Sequence, residues 1–217
     1  MPETFDQSPT FIEEEKLWQQ GYQLVAGIDE VGRGPLAGPV VAAAVILTPA
    51  SRLSWLLQLR DSKRLAPRKR EFLSSCIQRE ALAVGIGVVP PETIDVRGIV
   101  AATRLAMRLA VETLSVASRP PDFLLIDWIT MPELDIPQRS IIRGDNLSCS
   151  IAAASIVAKV HRDRLMMEYD GLYSGYGFAR NKGYPTTEHL AKLRRLGCCP
   201  IHRASFAPVR EVRERNG

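Results

Sequence analysis

Short apolar segments alternate with longer amphipathic segments along this chain of 217 residues. Two apolar runs, residues 23–28 and 40–47, predict strands, and the Gly- and Pro-rich residues 32–39 between them predict the turn of a hairpin. The other apolar runs that predict strands are residues 81–89, 123–126 and 140–142.

Helical patterns fill the segments between these strands. A charged helix is predicted over residues 61–79, and a longer one over residues 99–119. Apolar residues recur at steps of three and four over residues 147–161, which predicts one face of another helix, and a further helix is predicted near residues 188–196. Strands that alternate with helices predict an α/β fold in which helices cover both faces of a sheet.

We predict a single domain spanning residues 1–217, because no repeat, low-complexity segment or Gly/Ser-rich linker divides the sequence. Residues 1–20 are acidic and predict a lead-in helix at the edge of the domain. The residues from about 165 to 217 are predicted to form a C-terminal helical extension.

The composition favours a cytoplasmic protein with reduced thiols and no membrane contact. No apolar run reaches the roughly 18 residues that span a bilayer, and the N-terminus has neither the basic start nor the apolar core of a signal peptide. The 4 cysteines contain no CxxC pair and the 3 histidines are scattered. We therefore expect neither a disulfide framework nor a zinc site.

The formal net charge of +4 is distributed unevenly. From Lys159 to the C-terminus there are 12 Lys and Arg residues against 6 Asp and Glu residues. A basic region of this kind favours a polyanionic partner such as nucleic acid, because phosphate contacts release counterions. A solvated basic surface helix is the alternative that charge alone leaves open.

Acidic residues follow three predicted strands at the point where each strand ends. Asp29 and Glu30 follow the first strand, Asp127 follows the fourth and Asp145 follows the fifth. Ligands of open α/β sheets bind beyond strand ends, and converging carboxylates repel one another unless a hard cation such as magnesium or manganese neutralises them. The pattern predicts a metal site, and roles as helix caps or turn formers are the alternative for single acids.

The neighbours Asp29 and Glu30 constrain this site, because adjacent residues of a regular strand point to opposite faces. Both side chains could reach one metal ion only if the strand bends, and Gly27 and Gly32 on either side would permit such a bend. Otherwise Glu30 would have to bind through its backbone carbonyl.

The tripeptide Gly32-Arg33-Gly34 follows the acidic pair directly. Glycines on both sides let the backbone approach a ligand closely, and the arginine between them can bind a phosphate. A plain hairpin turn is the alternative, and the position beside the acids is what favours a ligand.

Ordered blocks of this sequence resemble one known family, the bacterial ribonucleases HII. The matching blocks are residues 26–41, 61–65, 125–127, 144–145, 150–160, 162–163, 175–178, 182–186 and 202–206. They keep their order along nearly the whole chain, so a chance match is negligible.

The resemblance implies a ribonuclease H-like α/β fold, with a mixed β-sheet flanked by helices and a C-terminal helical extension. It implies an endonuclease that cleaves the RNA strand of RNA/DNA hybrids and cuts at ribonucleotides embedded in duplex DNA, leaving 5′-phosphate and 3′-hydroxyl ends. It also implies two-metal-ion catalysis with magnesium or manganese, with one ion per monomer bound without substrate and a second bound with substrate.

The same resemblance implies roles for single residues. Asp29, Glu30 and Asp127 match the metal ligands, and Asp145 matches the fourth catalytic acid. The residues in substrate-binding blocks are Gly32, Arg33, Gly34, Ser62, Lys63, Lys182 and Tyr184. The Gly-Arg-Gly backbone matches the part that contacts the 2′-hydroxyl at an RNA–DNA junction, and Tyr184 matches the aromatic residue that stacks on the sugar there.

The sequence departs from the family pattern at three places. Trp128 stands where a small residue is usual, Arg143 replaces a common lysine, and residues 96–99 lack the usual Asn-Ile pair. We expect these departures to affect substrate preference and local packing rather than the chemistry.

Other functions are weighed against this resemblance. Ribonuclease HIII carries a threonine at the position of Arg33 and adds an N-terminal domain, so the arginine favours type HII. A resolvase- or integrase-like nuclease and a non-catalytic hybrid-binding protein are the remaining alternatives. The Gly-Arg-Gly tripeptide and Tyr184 argue against the first, and the four acids argue against the second. We expect a monomer, and residues 212–217 contain no strong sliding-clamp motif.

Overall fold

A mixed five-stranded sheet forms the centre of the protein. The computed structural model describes residues 8–48, 54–114 and 120–216. The strands are β1 (Val25–Val31), β2 (Val40–Ile46), β3 (Ala83–Val89), β4 (Phe123–Asp127) and β5 (Gln138–Ile141). They lie in the order β3-β2-β1-β4-β5, with β1 antiparallel to β2 and parallel to β4. The predicted hairpin and the predicted α/β fold are confirmed.

Helices cover both faces of this sheet. They are α1 (Ile12–Gln19), α2 (Pro67–Glu80), α3 (Pro91–Arg97), α4 (Ile99–Thr113), α5 (Cys149–Leu172), α6 (Phe178–Asn181), α7 (Thr187–Leu196) and α8 (Ala207–Asn216). Alternate residues of β2 face opposite layers: Ala42 belongs to the apolar cluster with α4, and Ala43 to the cluster with α5. The sheet therefore has an α4 face and an α5 face.

Helix α5 comes close to β1 at Gly27, where a Cβ atom would lie 2.1 Å from the carbonyl carbon of Ser150. The beginning of the helix is fixed there, because the Ser148 hydroxyl accepts a hydrogen bond from the Ile151 N–H at 3.2 Å. The Glu14 carboxylate of α1 accepts hydrogen bonds from the Ser148 hydroxyl at 2.6 Å and the Ser150 N–H at 2.8 Å. These contacts place the start of α5 against β1 at Gly27.

Several predicted boundaries differ from the structure. β1 continues to Val31, because its last residues remain paired with β2. The charged helix predicted from residue 61 begins only at Pro67, a residue that suits the first position of a helix. Helix α3 does not appear in the sequence prediction, since it is short and begins with prolines, whereas α8 lies within the predicted C-terminal helical extension. Helix α1 lies in the predicted lead-in, of which residues 1–7 are outside the described part, as are residues 115–119 of the predicted long helix.

The C-terminal helices pack around the loop between β1 and β2. Ala37 of this loop lies in an apolar cluster with Phe178 and Ile201, and Leu36 lies in another with Leu193. The C-terminal part thereby supports the loop that carries the Gly-Arg-Gly tripeptide. The single-domain organisation stays a prediction. Among the described residues, no helix combines the length and the apolar character needed to cross a bilayer.

Candidate active site

Three of the predicted acids lie on the α5 face of the sheet. β1 and β4 run parallel and in register, so Asp29 and Asp127 lie side by side near the ends of neighbouring strands. Asp145 lies in the short helical turn Gly144–Asn146, which leads into α5. The Asp127 Oδ1 atom accepts a hydrogen bond from the Gly144 N–H at 2.8 Å, which ties the end of β4 to this turn.

Glu30 lies on the opposite, α4 face, as alternation along a strand requires. Its side chain is only 8% exposed, and its two carboxylate oxygens accept hydrogen bonds from the Trp128 Nε1–H at 2.9 and 3.1 Å. The Arg33 Nη1 atom lies 3.6 Å from Glu30 Oε1, and the guanidinium carbon lies 3.9 Å from the centre of the Trp128 ring. The strand does not bend at this point, because its pairing with β2 continues regularly through Val31.

The acids resist ionisation because they are buried and close to one another. Burial raises the pKa of Asp29 well above its ordinary value, the charges of Glu30 and Asp127 raise it further, and a hydrogen bond from Ser155 opposes the rise. Burial also raises the pKa of Asp127 and that of Asp145. A bound cation would favour the ionised form of all these groups.

The chemistry of these residues fits a hard divalent cation. Their donor atoms are carboxylate oxygens, which magnesium and manganese prefer, and a cation would relieve their repulsion. The geometry is less complete: among the described residues, no three Asp, Glu, His or Cys side chains are arranged to hold a metal ion. The Glu30 carboxylate does not join the other acids, because Trp128 and Arg33 hold it on the other face of the sheet. The ligand set stays a prediction, supported by charge and by strand position.

An open cleft of about 480 Å³ lies beside the acids. Its lining includes the carboxylates of Asp127 and Asp145 together with the basic side chains of Lys63 and Arg143. Lys63 is exposed, and the Lys63 N–H donates to the Asp61 carboxylate at 2.9 Å. Acids and cations at one opening suit a ligand that carries phosphates and a metal.

Ser62 and Lys182, two predicted substrate-binding residues, have their side chains engaged inside the protein. The Ser62 side chain is buried, and its hydroxyl accepts a hydrogen bond from the Ser155 hydroxyl at 2.9 Å. Lys182 is half-buried, and its Nζ donates to the Asp163 carbonyl at 3.3 Å. A direct contact of either side chain with substrate stays a prediction.

Tyr184 lies beside the Gly-Arg-Gly tripeptide. Tyr184 is exposed, and a Cβ atom built at Gly34 would lie 3.9 Å from Tyr184 Cε1. Gly32 is enclosed instead: its φ is +96°, and a Cβ atom would lie 2.3 Å from Arg162 Nε and 2.7 Å from the Pro39 carbonyl oxygen. The backbone therefore requires glycine at position 32, whereas position 34 keeps open space beside the aromatic ring.

Two buried arginines hold the loop that carries this tripeptide. Both lie in matching sequence blocks, but sequence reasoning gave neither a role. Arg203 donates hydrogen bonds to the backbone carbonyls of Gly32, Arg33 and Gly38, and Arg162 to those of Ala37, Pro39 and Lys182. Burial lowers the pKa of Arg203 to about 9 and that of Arg162 to about 10, so both remain charged at pH 7. Their bonds to the loop span 123 to 171 positions of sequence, beyond any local pattern.

Two buried histidines support the backbone at Tyr184. The Cys199 N–H donates to His202 Nδ1 at 3.0 Å, so His202 carries its proton on Nε2, which lies 3.2 Å from His189 Nε2. His189 in turn carries its proton on Nδ1 and donates it to the Tyr184 carbonyl at 2.8 Å. Burial lowers the pKa of His202 to about 4 and also lowers that of His189, so this chain of bonds is neutral at pH 7.

Replacing Asp29 by asparagine should stabilise the metal-free protein. Folding raises the pKa of this carboxyl, so its contribution to stability is full at low pH and is lost as pH rises through the folded-state pKa. The amide keeps the shape without the charge, and a relief of about 1 kcal/mol raises Tm by about 2–4 °C in a chain of this size. Thermal unfolding with and without magnesium measures this: magnesium should raise the Tm of the wild type and not that of the variant. A lower Tm for metal-free Asp29→Asn than for the metal-free wild type would show that the charge of Asp29 does not destabilise the protein.

Comparison with known proteins first defines the class. A solved structure described as ribonuclease H2 from Pyrococcus horikoshii matches with a TM-score of 0.72 and 26% identity, over 88% of this chain and 97% of that one. The sheet order and the acids at its central strand ends thus belong to a ribonuclease H-like fold.

The family follows from the sequence matches. The family model of ribonuclease HII matches residues 26–209, which include every candidate site residue. A relative named ribonuclease HII from Dehalococcoides mccartyi is 50% identical, over 94% of this chain and 95% of the relative. Another relative of that name, from Desulfitobacterium hafniense, is 56% identical, over 92% of this chain and 74% of the relative. The chain belongs to the ribonuclease HII family and is a ribonuclease H, an enzyme that acts on RNA/DNA hybrids.

Proposed function

We propose that this chain hydrolyses the RNA strand of RNA/DNA hybrids and also cuts duplex DNA at single embedded ribonucleotides, leaving 5′-phosphate and 3′-hydroxyl ends. The observation that carries the proposal is the cleft in which the strand-end acids Asp127 and Asp145 lie beside Lys63. Burial lowers the pKa of Lys63, but the neighbouring carboxylates of Asp61, Asp29 and Asp145 raise it overall. Lys63 also lines one cleft together with Asp61, Asp127 and Asp145, so an exposed cation lies beside the acids, which suits a nucleic-acid backbone.

The strand-end acids would hold the divalent metal, magnesium or manganese. Asp29, Asp127 and Asp145 would bind from the α5 face, and Glu30, whose side chain lies on the other face of an unbent strand, would bind through its backbone carbonyl. Two such ions, when bound, supply activation of the attacking water and stabilisation of the leaving 3′-oxygen. We propose that one ion binds without substrate and the second binds together with the scissile phosphate.

Recognition of RNA depends on the 2′-hydroxyl. The backbone of Gly32 and Gly34 would contact this group, and the buried arginines keep that backbone in one conformation. The Tyr184 ring would stack on the sugar at the RNA–DNA junction. Lys63 and Lys182 would contact phosphates, so binding should weaken as salt concentration rises.

Cleavage of an end-labelled RNA/DNA hybrid tests this function. With magnesium, the RNA strand should be cut to products with 5′-phosphate and 3′-hydroxyl ends, and a chelator should stop the reaction. Binding without cutting would favour the non-catalytic alternative. Cutting of a four-way DNA junction, with the hybrid intact, would favour a resolvase-like nuclease.

Replacing Tyr184 by alanine should slow cleavage at a single embedded ribonucleotide more than cleavage of a long hybrid. A stacked aromatic residue contributes about 1–3 kcal/mol, which corresponds to roughly tenfold to a hundredfold in rate. One 2′-hydroxyl offers few other contacts, so the loss should be largest on that substrate. Rates on both substrates measure the effect, and Tyr173→Ala, on a partly exposed tyrosine in contact with Tyr169, is the control. Equal losses on the two substrates would contradict a role at the junction.

A further inference from the structure

A chain of hydrogen bonds runs from Cys199 through two buried histidines to the backbone of Tyr184. We propose that His189 and His202 are positioning residues, which fix Tyr184 beside the Gly-Arg-Gly tripeptide for recognition of a ribonucleotide. This inference rests on the proposed function, in which the Tyr184 ring stacks on the sugar at the RNA–DNA junction. It gives a role to two residues that the proposed metal and substrate contacts do not use.

The direction of each bond in this chain is set at its outer end. The backbone N–H and the thiol of Cys199 lie 3.0 and 3.1 Å from His202 Nδ1. Burial raises the pKa of the thiol to about 11, so both groups carry a proton at pH 7 and His202 Nδ1 is an acceptor. The His202 proton therefore lies on Nε2 and points at His189 Nε2, at 3.2 Å. His189 is left with its own proton on Nδ1, which it donates to the Tyr184 carbonyl at 2.8 Å.

Neighbouring rings keep both imidazoles in place. His189 lies edge-on to Phe178, with ring centres 5.4 Å apart, and His202 lies edge-on to Tyr176, with ring centres 5.0 Å apart. Tyr176 and Phe178 stack on each other at 5.2 Å, and both histidines are buried. An apolar side chain would fill such a site at less cost, because a buried imidazole needs a partner for each of its nitrogens. The histidines therefore indicate that the hydrogen bonds themselves have a role.

The segment at the end of this chain of bonds lies directly against the loop between β1 and β2. The Gly183 carbonyl accepts a hydrogen bond from the Leu36 N–H at 2.8 Å, and a Cβ atom at Gly183 would lie 2.3 Å from the Ala37 carbonyl oxygen. The Tyr184 carbonyl is the next acceptor along the backbone, and it receives the His189 Nδ1–H. Because the Tyr184 ring itself is exposed, its position depends on this backbone. The histidines thus hold the ring in register with the tripeptide.

Two amide substitutions distinguish positioning from packing. In His189→Asn the amide stands near the place of Nδ1 and can still donate to the Tyr184 carbonyl, whereas in His189→Gln it stands near the place of Nε2 and cannot. Glutamine fills more of the cavity, so a packing role predicts the larger loss for asparagine. Positioning predicts the reverse order. At a single embedded ribonucleotide, His189→Gln should cleave about tenfold more slowly than the wild type, and His189→Asn should stay within about threefold.

Two controls accompany this comparison. His161→Gln replaces the third histidine, which is half-buried on α5, and should leave cleavage unchanged. On a Tyr184→Ala background, His189→Gln should add almost no further loss, because it acts through Tyr184. A larger loss for His189→Asn than for His189→Gln, equal losses for the two, or losses that add to that of Tyr184→Ala would overturn the positioning role.

The wild-type protein allows a measurement that needs no substitution. Nitrogen NMR of the histidine rings distinguishes a proton on Nδ1 from a proton on Nε2. In the metal-free protein at pH 7, His189 should carry its proton on Nδ1 and His202 should carry its proton on Nε2. If no histidine ring carries its proton on Nδ1, the chain of bonds and the inference built on it are overturned, whether or not the variants fold.

Binding without metal separates the two possible failures. With a chelator present, the wild type should bind a duplex with one ribonucleotide more tightly than the same duplex made of DNA, and His189→Gln should lose most of that preference. If the wild type shows the preference and cleaves at the ribonucleotide, while His189→Gln retains both, only the positioning role is wrong. If the wild type shows neither, both the proposed function and this inference are wrong.

Discussion

Asp127→Asn is expected to abolish cleavage of an RNA/DNA hybrid while binding stays within a few-fold of the wild type. The carboxylate ends β4 beside Asp29, and the only hydrogen bond described for it comes from the Gly144 N–H, which an asparagine oxygen can also accept. The substitution therefore preserves the shape and removes the charge. Loss of a metal ligand removes several kcal/mol of transition-state stabilisation, which is at least about a thousandfold in rate.

Binding should survive because phosphate contacts elsewhere supply most of it. A gel-shift assay and a cleavage assay on the same preparation measure the two effects. Asp122→Asn is the matched control at the other end of β4, where the Asp122 carboxylate accepts bonds from the Gln23 and Leu24 N–H groups at 2.9 Å. The control should retain cleavage. Wild-type turnover by Asp127→Asn would remove this residue from the ligand set.

Arg203→Met is expected to lower the free energy of unfolding by at least about 3 kcal/mol and to impair cleavage even where the protein remains folded. The substitution leaves the buried carbonyls of Gly32 and Gly38 and the part-buried carbonyl of Arg33 without their donor, and each buried group of this kind costs about 1–3 kcal/mol. The tripeptide would then lose its fixed backbone conformation.

Urea denaturation measures the loss of stability, and cleavage below the unfolding transition measures the functional effect. Arg210→Met, on an exposed arginine of α8, is the control and should change stability by less than about 0.5 kcal/mol. A stable Arg203→Met protein with normal cleavage would show that the loop does not need this arginine.

Local sequence patterns predicted where the acids stand at the strand ends and where the helix after Asp145 forms. The acids of β1 and β4 follow apolar runs, and Asp145 precedes the periodic segment that becomes α5. The alternation of side chains along a strand left two arrangements of Asp29 and Glu30 open, a bend that brings both side chains together or side chains that diverge, and the structure shows the second. The charged residues from 61 onward looked helical, but the turn before Pro67 sets the start of α2.

The remaining features depend on contacts between distant segments. Arg203 meets the tripeptide loop across 165 or more positions of sequence, and no local pattern marks such a contact. Trp128 and Glu30 are 98 positions apart, so their hydrogen bond is visible only in the folded chain. Sequence comparison singled out Trp128 as a departure, and the structure shows what the departure contacts.

The central claim is that the acids and the tripeptide act together on a ribonucleotide in a DNA context. A DNA duplex with one embedded ribonucleotide, incubated beside the same duplex made entirely of DNA, tests this claim most directly. With magnesium, the account predicts a single cut at the ribonucleotide, an intact all-DNA duplex, and no cut in either when magnesium is withheld. Cutting of the all-DNA duplex at a similar rate, or cutting of the ribonucleotide duplex without a divalent metal, would contradict it.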